Sequence, residues 1–173
     1  MKRIIGVIAV LVLGFGLSAC GDTPDSPTPA PAPVRFTAAL SPANEVPPVT
    51  NENAGASGVA TITFNLTRDA AGTILSGTVD FNVTLSGFPN GSALTAAHIH
   101  PGAAGTNGGV LINTTITAGE ITFPTGSGTL NKTGITLTAE QANGIIANPA
   151  GYYFNAHTAT SPGGAVRGQL VRQ

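Results

Sequence analysis

Residues 58–87 read GVATITFNLTRDAAGTILSGTVDFNVTLSG, and this stretch decides the fold. Ala60, Ile62, Phe64 and Leu66 alternate with Thr61, Thr63 and Asn65, and Val79, Phe81, Val83 and Leu85 alternate with Thr78, Asp80, Asn82 and Thr84. A period of two sends successive side chains to opposite faces, so each run reads as an antiparallel strand with one dry face. The link Arg68-Asp69-Ala70-Ala71-Gly72 supplies the Asp and Gly of a hairpin turn. Outward from this hairpin, short runs broken by Gly, Pro and Asn predict further strands at 36–40, 94–100, 109–117, 127–131, 151–158 and 164–171. The pattern is that of an all-β protein, an antiparallel Greek-key β-sandwich of about seven to nine strands.

One segment departs from the alternation. Thr138-Ala139-Glu140-Gln141 has the spacing of a capping box, with Thr138 as cap and Gln141 three residues on. Ala142, Ile145 and Ile146 follow as an apolar stripe, and Asn148-Pro149 ends it, which predicts one short structural helix over 139–147.

The N-terminal segment reads as a targeting signal. Lys2 and Arg3 precede an apolar run, and the uncharged stretch from Ile4 to Ala19 is 16 residues long, short of the roughly 20 that span a bilayer as a helix. Its end, Leu17-Ser18-Ala19-Cys20, resembles the lipobox of bacterial lipoproteins, in which the signal is removed and the cysteine acylated. The expectation is a signal peptide over 1–19, a lipidated Cys20, and a Pro-rich tether over 20–35 leading to a domain over 36–171. Cys20 is the sole cysteine, so disulfide and thiol chemistry are not expected. Two or three acyl chains anchor stably where one is marginal. With Gly21 rather than Asp after Cys20, the expected location is the outer membrane or cell surface of a bacterial envelope.

Composition excludes several function classes. Charged residues are 9% of the chain and the net charge is −1, or near −3 once Lys2 and Arg3 are removed. That balance speaks against nucleic acid as a partner and leaves the membrane, through the anchor, and an unidentified protein or extracellular ligand. The Gly-rich run 102–109 is followed by strand-like Val110-Leu111-Ile112 and lacks a P-loop lysine, so it reads as a surface loop. The acidic residues are scattered without a glycosidase pair, and no nucleophile elbow is present.

The three histidines are the remaining reactive groups. His98 and His100 stand two apart on an expected strand, so they share a face with their Cα atoms about 6.5–7 Å apart. A third imidazole, His157, on a neighbouring strand would complete a metal site at ~2.0 Å per nitrogen. An imidazole set without soft sulfur ligands favours zinc or copper(II). Tyr153 and Asn155 share the His157 face and are placed to orient an imidazole from behind. The alternative is that the histidines hydrogen-bond to loop carbonyls at a tight corner before Pro101-Gly102.

Taken in order, Phe36-Thr37-Ala38-Ala39-Leu40, Asn44-Glu45-Val46-Pro47-Pro48-Val49, Ala97-His98-Ile99-His100-Pro101-Gly102, Gly151 through Thr158, and Pro162 through Leu170 resemble the CHRD domain, over about residues 36–171. The resemblance implies an all-β domain and hands over no active site. Within it Glu45, His98, His100, His157 and Arg167 form a polar set in a domain poor in charge. Arg167, opposite in parity to Val166 and Leu170, is expected to point outward and pair with Glu45, locking the terminal strands. A fainter likeness is to the copper/zinc superoxide dismutases, β-sandwiches in which a His-x-His strand, a later His and a C-terminal Arg occur in this order. The bridging histidine, the zinc subsite and the cysteine pair are missing here, and a shared fold does not carry an activity. The sandwich is thus expected to be immunoglobulin-like or superoxide-dismutase-like.

Three readings follow. The first is a non-catalytic envelope binding module with one copper or zinc ion at His98, His100 and His157. The second is a copper protein with redox activity, and the third a purely structural envelope protein.

Overall fold

A computed structural model describes residues 32–173. The signal peptide, Cys20 and most of the tether lie outside the described residues. Ten strands and one helix follow in order: β1 (Val34–Leu40), β2 (Ser57–Arg68), β3 (Ile74–Ser86), β4 (Ser92–Pro101), β5 (Ile112–Asn113), β6 (Thr122–Phe123), β7 (Gly128–Thr138), α1 (Ala139–Ala147), β8 (Tyr152–Thr158), β9 (Ser161–Gln169) and β10 (Val171–Arg172). They form two antiparallel sheets, one ordered β10-β1-β2-β3-β7 and the other β5-β4-β8-β9, with β6 also on β4. The all-β sandwich with one short helix is therefore the observed fold.

The alternating hairpin forms as its pattern requires. β2 and β3 pair from Ser57↔Ser86 to Arg68↔Ile74, with Ile62 opposite Phe81 and Phe64 opposite Val79 on the dry face. Phe36, Phe64, Phe81, Leu130 and Phe154 are fully or almost fully buried where the two sheets face each other. Phe81 of one sheet meets Phe154 of the other at 5.9 Å between ring centroids. Consecutive strands change sheets at β3–β4, β6–β7, β7–β8 and β9–β10, yet β3 pairs with β7 and β4 with β8. This interlocking ties distant parts of the chain together. Ser41, just past β1, exchanges two backbone hydrogen bonds with Arg167 of β9, at 3.0 and 3.2 Å, and joins the sheets along one edge.

Three differences from the sequence pattern have physical causes. The strand expected at 109–117 shrinks to Ile112–Asn113, because Leu111 and Thr114 bond to Ile99 and Ala97 only at the ends of a short pairing, while 102–110 is drawn into a loop. β7 runs on to Thr138, past the expected end at 131, with a register shift opposite Val79 and Phe81. β1 starts at Val34 rather than 36, since Val34 and Arg35 pair with Phe64 and Thr63.

The two outer faces differ. On the first sheet it is a wet ladder of Thr, Asn and Asp, with Asn65 donating to Asp80 at 2.9 Å. On the second sheet the same parity carries His98, His100, Tyr153, Asn155, His157 and Arg167, of which His100, Tyr153, Asn155 and Arg167 are at most 6% exposed. Residues 42–51 and 102–109 contribute its cover, so polar side chains are buried on the nominally outer side.

Helix α1 starts as its spacing requires. The Thr138 hydroxyl accepts from the Gln141 N–H at 3.2 Å, and the Gln141 side-chain oxygen accepts from the Thr138 N–H at 2.9 Å. Gln141 Nε2 also donates to Leu111 O, fastening the loop before β5. Thr138→Ala removes one capping acceptor and is expected to cost about 1 kcal/mol of stability with the fold retained, measured by urea unfolding; a variant as stable as the parent would show the cap to be idle.

Candidate metal centre

β4 and β8 bring the histidines together through register. His98 pairs with Asn155, His100 with Tyr153, and Ala96 with His157, so all three imidazoles stand on one face of two adjacent strands. One ligand nitrogen from each lies within 4.8 Å of the other two. His98 Nδ1 and His157 Nε2 are 3.2 Å apart. Two nitrogens at ~2.0 Å on a tetrahedral ion sit about 3.3 Å from each other, so this pair already has the spacing of two ligands on one ion.

Each buried ring is held in a defined tautomer by its surroundings. His100 Nδ1 is 3.0 Å from Gly108 O, and His157 Nδ1 is 2.9 Å from Pro162 O. Carbonyl oxygens only accept, so both protons belong on Nδ1 and both Nε2 atoms present a lone pair. His100 Nε2 is buried and has no hydrogen-bond partner. A second ring nitrogen fixed by a backbone carbonyl is the usual support of a metal-binding imidazole.

The supports of His100 extend two residues deep. Its ring stacks on Tyr153 at 4.9 Å and 8°, and the Arg167 guanidinium lies 3.5 Å from the centre of the Tyr153 ring. β8 runs between β4 and β9, so Tyr153 is held between an imidazole and a guanidinium. Arg167 stands on the outer face, as expected, but does not reach solvent and makes no ion pair with Glu45. It is fully buried, and donates to Asn107 Oδ1, Ala103 O, Thr106 O and Gln169 Oε1 at 2.7–3.2 Å. Parity placed it on the correct face; the loop over that face turns it from a surface charge into an internal clamp. Gly108 lets the loop close, since a Cβ there would sit 1.8 Å from Pro101 O.

Glu45, within the 42–51 segment, is also buried, 5% exposed. Its carboxylate packs against Gly164, where φ is +139° and any Cβ would overlap both carboxylate oxygens. Burial raises its pKa from 4.5 to about 7, against the pull of the Arg167 charge and the Asn155 side chain. Burial, then His157 and His100, lower His98 from 6.5 to about 4. Burial also lowers His157, opposed by its bond to Pro162 O and reinforced by His100. The neutral, metal-competent form of His98 and His157 is thus kept further into acid than a free imidazole would allow.

Tyr153 and Asn155 both touch the histidines, as their face implied: Asn155 Oδ1 is 3.1 Å from His157 Nε2. Sequence reasoning missed Asn107, which accepts from Arg167 and donates to Val46 O at 2.7 Å, tying the two covering loops together. It also missed Gln169, whose Nε2 donates to Gly102 O, Ala150 O and Tyr152 O. No short-range pattern marks either, because their partners lie 17 to 67 residues away, apart from the local bond of Gln169 to Arg167. A cavity of about 580 Å³ lies beside Glu45, with Ala39, Ala43, Val46 and Pro48 in its wall and none of the histidines.

The family model of the CHRD domain matches residues 36–170. No curated protein matches the chain.

The opposed pKa shifts give a signed pH dependence. Glu45 binds its proton more tightly folded than unfolded, so its contribution falls as pH rises from about 4.5 through about 7. His98 and His157 bind theirs less tightly folded, so their contribution is lost as pH falls below about 6.5, for His98 down to about 4. Glu45→Gln removes only the first. The stability of this variant relative to the parent should therefore increase between pH 4.5 and 7.5 in urea denaturation; a pH-independent difference would refute the buried-carboxyl assignment.

Proposed function

This chain belongs to the CHRD domain family, and from that premise we propose that it is an exported, lipid-anchored envelope protein whose domain is a non-catalytic binding module built around one metal ion. The observation that carries the metal reading is the three-histidine cluster, with two ring nitrogens 3.2 Å apart and a third, His100 Nε2, buried without a partner. A buried polar atom left unpaired costs roughly 1–3 kcal/mol. An ion bound by that lone pair removes the cost. The ligand chemistry is neutral imidazole, which selects zinc or copper(II) over harder cations.

The anchor and the envelope location rest on Lys2, Arg3, the 16 uncharged residues after them, and Leu17-Ser18-Ala19-Cys20. Cys20 carries the lipid, and the Pro-rich tether, at about 3.1 Å per residue when extended, holds the domain off the membrane. The partner of the module is a protein or ligand outside the cytoplasm.

A redox copper protein is the weaker alternative. Arg167, the cation whose position resembles that of the superoxide dismutases, spends its guanidinium on loop oxygens and the Tyr153 face. It is therefore not free to serve an anionic substrate at the histidines.

Metal titration of the full chain in detergent tests the proposal. Zinc or copper(II) should bind at one equivalent and raise the melting temperature, and His98→Ala with His100→Ala should abolish both effects. Protons compete with the ion for the imidazole nitrogens, so binding should weaken as pH falls, while burial keeps His98 and His157 available as ligands further into acid than a free imidazole. An unchanged melting temperature across both metal series would remove the metal from the proposal.

A further inference from the structure

His157 faces two oxygen atoms at once, Pro162 O at 2.9 Å from Nδ1 and Asn155 Oδ1 at 3.1 Å from Nε2. A neutral imidazole has one N–H and cannot donate to both. The Pro162 carbonyl is backbone of β9 and can only accept, which places the proton on Nδ1. The Nε2 lone pair then confronts the oxygen of Asn155. In the structure the amide presents its oxygen, not its nitrogen, to Nε2, and its other side lies beside Glu45. Asn155 is 2% exposed and Glu45 5%, leaving little room for either to move aside.

Two lone pairs are therefore aimed at one another, with His98 Nδ1 3.2 Å from the same Nε2. One proton on His98 Nδ1 satisfies Nε2 and leaves the Asn155 oxygen unserved. A divalent cation among them satisfies all. The separations from Nε2, 3.2 Å to nitrogen and 3.1 Å to oxygen, are close to the roughly 3.3 Å edge of a tetrahedron with ~2.0 Å bonds.

We infer that Asn155 Oδ1 is the fourth ligand of the ion held by His98, His100 and His157, giving a closed three-nitrogen, one-oxygen site for zinc or copper(II). This rests on the metal reading above and goes beyond it, because a fourth protein ligand fills the position that a catalytic ion keeps open for water or substrate. Glu45, beside the Asn155 amide, is then the positioning residue that keeps the oxygen turned toward the ion.

The test uses the full chain in detergent, with zinc and copper(II) as probes in competition titrations. The parent protein, the His98→Ala/His100→Ala variant, Asn155→Leu, and Asn155→Asp combined with Glu45→Gln are compared. In the double variant the amide introduced at position 45 offers a donor to the second oxygen of the carboxylate introduced at position 155, so the local bonding is kept and the ligand gains a negative charge. Asn155→Leu is expected to weaken binding by about 10-fold or more, in the range that loss of supporting groups alone costs. The Asp/Gln double variant is expected to bind more tightly than the parent, a gain that a merely structural Asn155 would not produce. If the parent binds neither metal, the metal reading fails and this inference with it. If the parent binds and the histidine variant does not, but Asn155→Leu matches the parent, the fourth ligand is refuted and the metal reading stands. Weaker binding in Asn155→Leu without a gain in the double variant also refutes it. Should Asn155→Leu fail to fold, the double variant decides by its gain or lack of one.

Discussion

The guanidinium of Arg167 is the constraint on which the arrangement of the second sheet depends. A fully buried cation costs several kcal/mol in lost hydration and is tolerated only when hydrogen bonds replace most of that hydration. Here four oxygens accept from the two terminal nitrogens while Nε has no partner, and three of these oxygens, Ala103 O, Thr106 O and Asn107 Oδ1, belong to a single loop. The loop cannot lift without stranding the charge. While it stays down, Gly108 O holds the His100 ring, and Asn107 Nδ2 holds the 42–51 segment at Val46. Tyr153, between Arg167 and His100, passes the same constraint sideways as a stack. One buried charge thereby fixes a loop, a ring orientation and the cover over the histidines.

Desolvation under that cover explains the electrostatics with a single cause. It leads the shift at Glu45, His98 and His157, upward for the acid and downward for the bases, because in each case the charged form is disfavoured. The result is a cluster of groups biased toward neutrality around one fixed positive charge. A neutral imidazole is the form that binds a cation, so the burial that costs solvation also favours the unprotonated forms of His98 and His157. The domain carries few charges elsewhere, and Lys132–Glu120, at 2.6 Å on the surface, is a pair of a different kind, exposed and of little consequence for stability.

Much of this was legible in the chain itself. The alternation at 60–66 and 79–85 specified the central hairpin, its dry face and its turn, because a strand's faces are set by local parity. The capping box at Thr138 and Gln141 specified where α1 begins for the same reason. His98, His100 and His157 came out on one face because parity and the adjacency of β4 and β8 sufficed. Arg167 was misjudged. Parity gave its direction, away from Val166, but whether that direction leads to water depends on a loop 60 to 64 residues earlier in the chain. The short β5 was misjudged for a related reason: Val110 and Leu111 look like strand, while the loop they follow is committed to Arg167 and His100.

The two outer faces of the sandwich show what a polar alternating face can mean. On the first sheet Thr61, Thr63, Asn82 and Thr84 alternate with apolar residues and stand in or near water, and their hydrogen bonds are interchangeable with those of solvent. On the second sheet His98 and His100 alternate with Ala97 and Ile99 in the same way, but the partners of the polar residues are specific and enclosed. The difference lies in side-chain chemistry rather than in period. Thr and Asn of the first sheet lose little when hydrated, whereas imidazole, phenol and guanidinium groups stack, fix one tautomer or gather several carbonyls, and so give a covering loop something to hold. Where such groups alternate on a strand next to a Gly-rich segment that can approach closely, as Gly108 approaches Pro101, the outer face is a second polar core. In this domain that second core, and not the apolar space between the sheets, is where binding chemistry is concentrated.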